Sequence, residues 1–156
     1  MTRSLLILLA ATGSAALLAG AFAFQYIGGL APCQLCLWQR WPHAAAVLIG
    51  ILALLAPPYQ RALAALAACA ALTTAGIAAF HTGVERKWWD GLASCTASSM
   101  DGVSVADLLN PNITVAAPIR CDAVAWQMLG LSMASWNMLA SLALVVVWII
   151  AARRRA

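Results

Sequence analysis

Charge is the scarcest property of this sequence. Only 9% of its 156 residues are charged and only five are acidic, against 64% that are apolar. A water-soluble domain carries about 25% charged and about 45–50% apolar residues. This chain therefore has too few polar groups to cover itself in water, and it belongs in a lipid bilayer. It has no glycine-rich phosphate loop, no close carboxylate pair and no Ser/His/Asp set, so the common sequence signs of nucleotide binding and triad hydrolysis are missing. The net charge of +4 does not indicate nucleic acid, because three of the nine positives are the terminal Arg153, Arg154 and Arg155. Five cysteines are too few for a disulfide-dense scaffold. No internal repeat is present, and the only low-complexity stretches are alanine-rich apolar ones.

What the chain does have is long uncharged runs. The first, about 5–27, is roughly 34 Å long as helix, enough for a hydrocarbon core of about 30 Å. It is longer than the h-region of a signal peptide, and Gly28, Gly29 and Pro32 end it. The second, about 36–56, closes at Pro57-Pro58. It reaches spanning length only if helix begins near Cys33, and Pro42 is expected to kink or delay it. A third run, about 62–84, stops at Glu85-Arg86-Lys87-Trp88-Trp89-Asp90, with paired tryptophans suited to a membrane interface. The fourth is placed at about 130–152, its membrane part beginning near Met133. Between them lie two outward loops, about 28–35 and 85–125. In the longer one, Ser104 to Asp107 resembles a capping box before a short helix, and Asn110-Pro111-Asn112 is a turn. The expected fold is an all-α membrane protein: one domain over 1–156, built as a four-helix transmembrane bundle.

Four spans put both termini on one side. Arg3, Arg61 and Arg153 to Arg155 lie there without any acid. The other side mixes Arg40, Arg86, Lys87 and Arg120 with Glu85, Asp90, Asp101, Asp107 and Asp122. The positive-inside rule then makes the termini cytoplasmic. Cys33, Cys36, Cys95 and Cys121 face outward, where disulfides persist. Cys69, in the middle of the third run, is expected to be a small packing residue.

The chemistry centres on Pro32-Cys33-Gln34-Leu35-Cys36-Leu37-Trp38-Gln39-Arg40. A lone C-x-x-C is a metal half-site, a structural bridge or a redox pair. At a membrane boundary, a reactive dithiol can exchange electrons with a lipid-soluble molecule. At a helix start, free N–H groups stabilise a thiolate. Arg40, one turn past Cys36, shares its face; its guanidinium suits a thiolate or an acceptor oxygen such as a quinone carbonyl, while the alternative is an arginine reaching for lipid phosphate. Cys95 and Cys121 are either a staple for the long loop or an exchangeable disulfide that meets an external thiol protein. Zinc is disfavoured because structural zinc sites bring two close cysteine pairs and only one is close here; no metal is expected. His81 is a candidate proton donor, or else a histidine bonded to backbone or water. Glu85, four residues on, either shares the face of His81 or is a solvated helix end, and His43 follows Pro42 near the dithiol. Trp38 is read first as a belt anchor, with the wall of a quinone cleft as its alternative role.

These residues resemble the DsbB family of membrane thiol oxidases. The resemblance rests on Pro32-Cys33-x-Leu35-Cys36-x-x-x-Arg40, on one cysteine pair in the second outer loop, and on Trp126-x-x-Leu129-Gly130-Leu131-Ser132-Met133-x-x-Trp136. It implies a bacterial inner-membrane, multi-pass oxidoreductase that reoxidises a periplasmic thioredoxin-fold partner, DsbA, and passes electrons to membrane ubiquinone or menaquinone. By position, Cys95 would form the mixed disulfide with the partner. Cys121 would relay to Cys33, and Cys36 would face the quinone beside Arg40, His81 and Trp38. The redox-active disulfides implied are Cys33–Cys36 and Cys95–Cys121. The chain departs from the family at Gln39, acidic in some relatives, and at Ala134, often proline. Such changes bear on partner choice, so a DsbI-like relative with a dedicated substrate stays open, as does a non-enzymatic scaffold whose disulfides lock its loops.

Overall fold

The computed structural model describes residues 1–92 and 119–154. Cys95, the short helix expected at Ser104 to Asp107 and the turn at Asn110 to Asn112 lie outside the described residues. Four long helices dominate: α1 (Arg3–Tyr26), α2 (Gln34–Leu55), α3 (Gln60–Glu85) and α4 (Met133–Arg153). A 3-10 turn, Pro57–Tyr59, joins α2 to α3. Helices α1 and α3 each pack on both α2 and α4 and barely touch each other.

Local chemistry sets the helix ends. Thr2 caps α1 by accepting from the Leu5 N–H. Gly29, at φ +66°, closes the other end, where the Leu30 N–H reaches back to the Phe24 carbonyl at 3.0 Å. Helix α3 ends the same way, but with Lys87 at φ 60° in the left-handed position and the Trp88 N–H on the Gly83 carbonyl at 2.9 Å. Pro42 neither delays nor divides α2, which runs through it; its missing N–H leaves one helical carbonyl without that donor.

By length and composition, α1, the segment Pro57–Glu85 and α4 can cross a membrane, with mean hydropathies of 2.1, 2.0 and 2.0. Helix α2 falls outside that set because Gln34, Gln39, Arg40 and His43 crowd its first half. The ends sort by chemistry. Arg3 donates to the Arg154 carbonyl, and Arg61 Nε to the Ala152 carbonyl at 3.3 Å, gathering the basic residues at one end. Cys33, Cys36 and Cys121 lie together at the other.

Small residues let the helices close. Ala64, Ala67, Ala68, Ala71, Thr74, Ala75 and Ala78 form the buried stripe of α3 at helical spacing. Trp148 of α4 is fully buried and meets Gly50 of α2. A Cβ at position 50 would sit 2.7 Å from the Ala11 Cβ and 3.2 Å from the Trp148 ring. Gly50→Ala should therefore destabilise the bundle by about 1–2 kcal/mol through overpacking, read as a lower midpoint in denaturation from detergent micelles. Cys69 is not a packing residue, contrary to the sequence-based expectation; it is exposed on the outer face of α3, opposite the alanine stripe.

The chain enters α4 through a feature that is not helical. Gln127–Met128 and Leu131–Ser132 pair as a two-stranded antiparallel hairpin. Its turn residues, Leu129 and Gly130, both have positive φ, 53° and 75°, as a two-residue hairpin turn requires. Helix thus begins at Met133, not at 130.

Candidate functional site

Cys33 is the N-cap of α2: its sulfur accepts from the Cys36 N–H at 3.3 Å. The two sulfurs are 2.9 Å apart, as a thiol pair. Both therefore sit at the N-terminus of α2, the positive end of the helix. Cys33, Leu35, Val84 and Cys121 are buried together, with Cys36 and Phe80 against them. Cys121, expected in an outer loop, is thus fully enclosed beside Cys33. Its neighbour Asp122 accepts from Arg120 at 2.7 and 2.9 Å and from Lys87 Nζ at 3.3 Å. Arg120 first, then Lys87, holds the Asp122 carboxyl well below the usual carboxylate range. A depressed folded pKa stabilises above the unfolded value of about 3.9 and is lost only as pH falls through the folded one. Cys121 should accordingly stay shielded from thiol probes in mildly acidic buffer. Asp122→Asn should expose it at neutral pH, raising its alkylation rate several-fold.

His81 reaches the dithiol from α3. Its Nε2 is 3.6 Å from Cys33 Sγ and 3.8 Å from Glu85 Oε1. Glu85, expected at a solvated helix end, is half-buried with its side chain enclosed, and accepts from the Ser132 hydroxyl. The ligand atoms of Cys33, Cys36 and His81 lie within 4.8 Å of one another, so the fold adds to the cysteine pair a third metal-capable group that spacing along the chain did not reveal.

A cavity of about 420 Å³ opens beside this cluster, with Cys33, Cys36, Gln39, Arg40, His81 and Glu85 among its walls. The size suits a small organic ligand. Most of the remaining wall is apolar, including Leu17, Phe24, Trp126 and Met133. Arg40 is held by α1: Nη1 donates to Gln25 Oε1 at 2.6 Å, Nη2 to the Ala21 carbonyl at 3.3 Å, and Cζ lies 4.8 Å over the Phe22 ring. Its Nε is buried with no hydrogen-bond partner among the described residues. Trp38 is not brought to the cavity. It is 42% exposed, because two residues past Cys36 is about 200° around the helix.

Sequence reasoning passed over a buried polar chain behind the dithiol. Gln39 Nε2 contacts the Leu35 carbonyl and His81 Nδ1, each at 3.1 Å. Asn137 Nδ2 donates to Gln39 Oε1 at 2.7 Å, and Asn137 Oδ1 faces His43 Nε2 at 3.0 Å. Gln39 and His43 stand three and seven residues past Cys36, the spacing of one helix face. That spacing was the available signal.

A family model described as disulfide bond formation protein DsbB matches residues 3–151. The chain belongs to the DsbB family. It is 31% identical over 153 residues to disulfide bond formation protein B of Stutzerimonas stutzeri, covering 92% of this chain and 91% of that protein. To the proteins of the same description from Hahella chejuensis and Xanthomonas campestris pv. campestris it is 30% and 33% identical, over 90% and 80% of this chain and 88% and 75% of theirs. No solved structure gives a significant match. This DsbB chain is therefore a membrane protein of disulfide bond formation, with the disulfide-forming oxidoreductase role that the family name carries.

Proposed function

We propose that this DsbB protein is a protein-dithiol:quinone oxidoreductase of the bacterial inner membrane, which reoxidises a DsbA-like periplasmic thioredoxin-fold protein. One observation carries the reading. A cysteine pair at a helix N-terminus shares a largely apolar cavity with an arginine whose Nε lacks a partner among the described residues, at the end of the molecule opposite the clustered basic residues. A quinone would fit that wall: Leu17, Phe24, Trp126 and Met133 would hold its ring, and Arg40 Nε would donate to a ring oxygen. When bound, the quinone accepts two electrons and two protons.

The residues divide the work. The partner's thiolate attacks Cys95 in a Cys95–Cys121 disulfide, forming a mixed disulfide and releasing Cys121 as a thiolate; the partner's second thiol then displaces Cys95. Cys121, buried against Cys33, passes the exchange inward as a thiolate attacking the Cys33–Cys36 disulfide. Cys36 leaves as a thiolate stabilised by the α2 N-terminus and Arg40. Two thiols lose two protons and two electrons for each disulfide formed, which balances the acceptor's gain. All four helices cross the bilayer in one domain, both termini are cytoplasmic, and the cysteine end is periplasmic; the segregation of Arg3, Arg61 and Arg154 supports this. Trp38 serves as an interface anchor.

The test mixes purified protein with a reduced thioredoxin-fold partner and a soluble quinone. Quinone absorbance should fall in step with loss of the partner's thiols. A disulfide-locked scaffold would change neither, and that result would end the proposal.

A further inference from the structure

Two main-chain carbonyls fix the direction of every hydrogen bond behind the dithiol. A carbonyl oxygen only accepts. The Gln39 side-chain atom 3.1 Å from the Leu35 carbonyl is therefore its NH₂ group, and the same NH₂ faces His81 Nδ1 at 3.1 Å. Nδ1 must accept, so in neutral His81 the proton is on Nε2. The acceptors around Nε2 agree with this: Cys33 Sγ at 3.6 Å and Glu85 Oε1 at 3.8 Å.

The second carbonyl gives the same polarity independently. Thr74 donates its hydroxyl proton to the Gln39 carbonyl at 3.1 Å and so presents only lone pairs to Asn137. Asn137 must turn its NH₂ toward Thr74 and toward Gln39 Oε1, 2.7 Å away. Its oxygen then faces His43 Nε2 at 3.0 Å, which puts the proton of His43 on Nε2 as well. Reversing Gln39 would set its oxygen against the Leu35 oxygen and its NH₂ against that of Asn137.

This polarity matters because Cys33, Cys36 and His81 could otherwise hold a soft divalent cation. A histidine that ligates through Nε2 carries its proton on Nδ1 and donates it to an acceptor, commonly a carboxylate. Gln39 presents a donor there instead. We propose that Gln39 is a positioning residue that fixes His81 as an Nε2–H donor to the Cys33 sulfur, and so keeps the dithiol–histidine cluster available for sulfur exchange and closed to zinc. The donor role deepens the oxidoreductase reading, since the Nε2–H then hydrogen-bonds the sulfur that Cys121 attacks in the proposed exchange; the zinc argument stands on the geometry alone.

Two measurements test it on the full chain, fully reduced, in detergent. With ring-¹⁵N histidine in mildly alkaline buffer, both histidines of the chain should show the Nε2–H pattern of nitrogen shifts. Because the same tautomer is expected at both, no assignment is needed, and an Nδ1–H histidine in the spectrum overturns the proposal. Zinc alone is then titrated against a chelating dye. Gln39→Glu, which offers Nδ1 an acceptor, should bind zinc at least about tenfold more tightly than the unmodified chain. Equal affinity in the folded variant overturns the second half. Neither readout involves quinone or partner, so failure of the oxidoreductase assay would leave both results standing. The tautomer measurement needs no variant and decides the question even if Gln39→Glu does not fold.

Discussion

Cys33→Ser should leave the protein folded and unable to transfer electrons from a reduced thioredoxin-fold partner to quinone. The fold should survive because position 33 is a helix N-cap whose side chain accepts from the Cys36 N–H, and serine is a better cap than cysteine. Activity should vanish because a hydroxyl neither ionises near neutral pH nor forms a bond to sulfur. Cys36→Ser should abolish turnover equally. Cys69→Ala is the control: its side chain faces outward from α3 and should leave the rate within about twofold, as surface substitutions generally do. Quinone absorbance and thiol titration, followed together, read all three variants. A dead Cys69→Ala protein would contradict the assignment of roles.

The second large effect is expected at Arg40. Its guanidinium bonds Gln25 and the Ala21 carbonyl while stacking on Phe22, and this leaves Nε over for a ligand. Lysine has one compact ammonium and cannot hold α1 and meet a ring oxygen together. Arg40→Lys should lower quinone-dependent turnover on the order of 100-fold, the size of a lost charge-assisted hydrogen bond. Exchange between the partner and Cys95 should be unchanged, since it takes place without Arg40. Rapid mixing of each half-reaction separates the two; equal loss in both would remove Arg40 from the quinone side.

Much of the architecture was legible because helix breakers and caps are local. Gly29 ends α1 and Cys33 opens α2 as their neighbours in sequence suggest. The hairpin before α4 was not legible, since Leu129 adopts a left-handed conformation that a leucine does not advertise. At the site, Cys36 and Arg40 declared themselves by spacing and by the cost of burying charge. Gln39, His43, Thr74 and Asn137 did not, because their partners lie 35 to 98 positions away and each alone is one polar residue in an apolar run. For Glu85 the spacing of four from His81 was legible, but the solvated helix end was not excluded until Ser132, 47 positions on, met its carboxylate. Cys69 faced the wrong way because the inward side of α3 is chosen by its neighbours.

In the proposed reaction the sulfur that starts α2 is also one that reacts. As a free thiol, Cys33 accepts from the Cys36 N–H, whereas a sulfur bonded to another sulfur is a weaker acceptor. The opening turn of α2 therefore tightens on reduction and slackens on oxidation, so backbone amide exchange at Cys36 becomes a clock hand for the redox state, readable without quinone, partner or label.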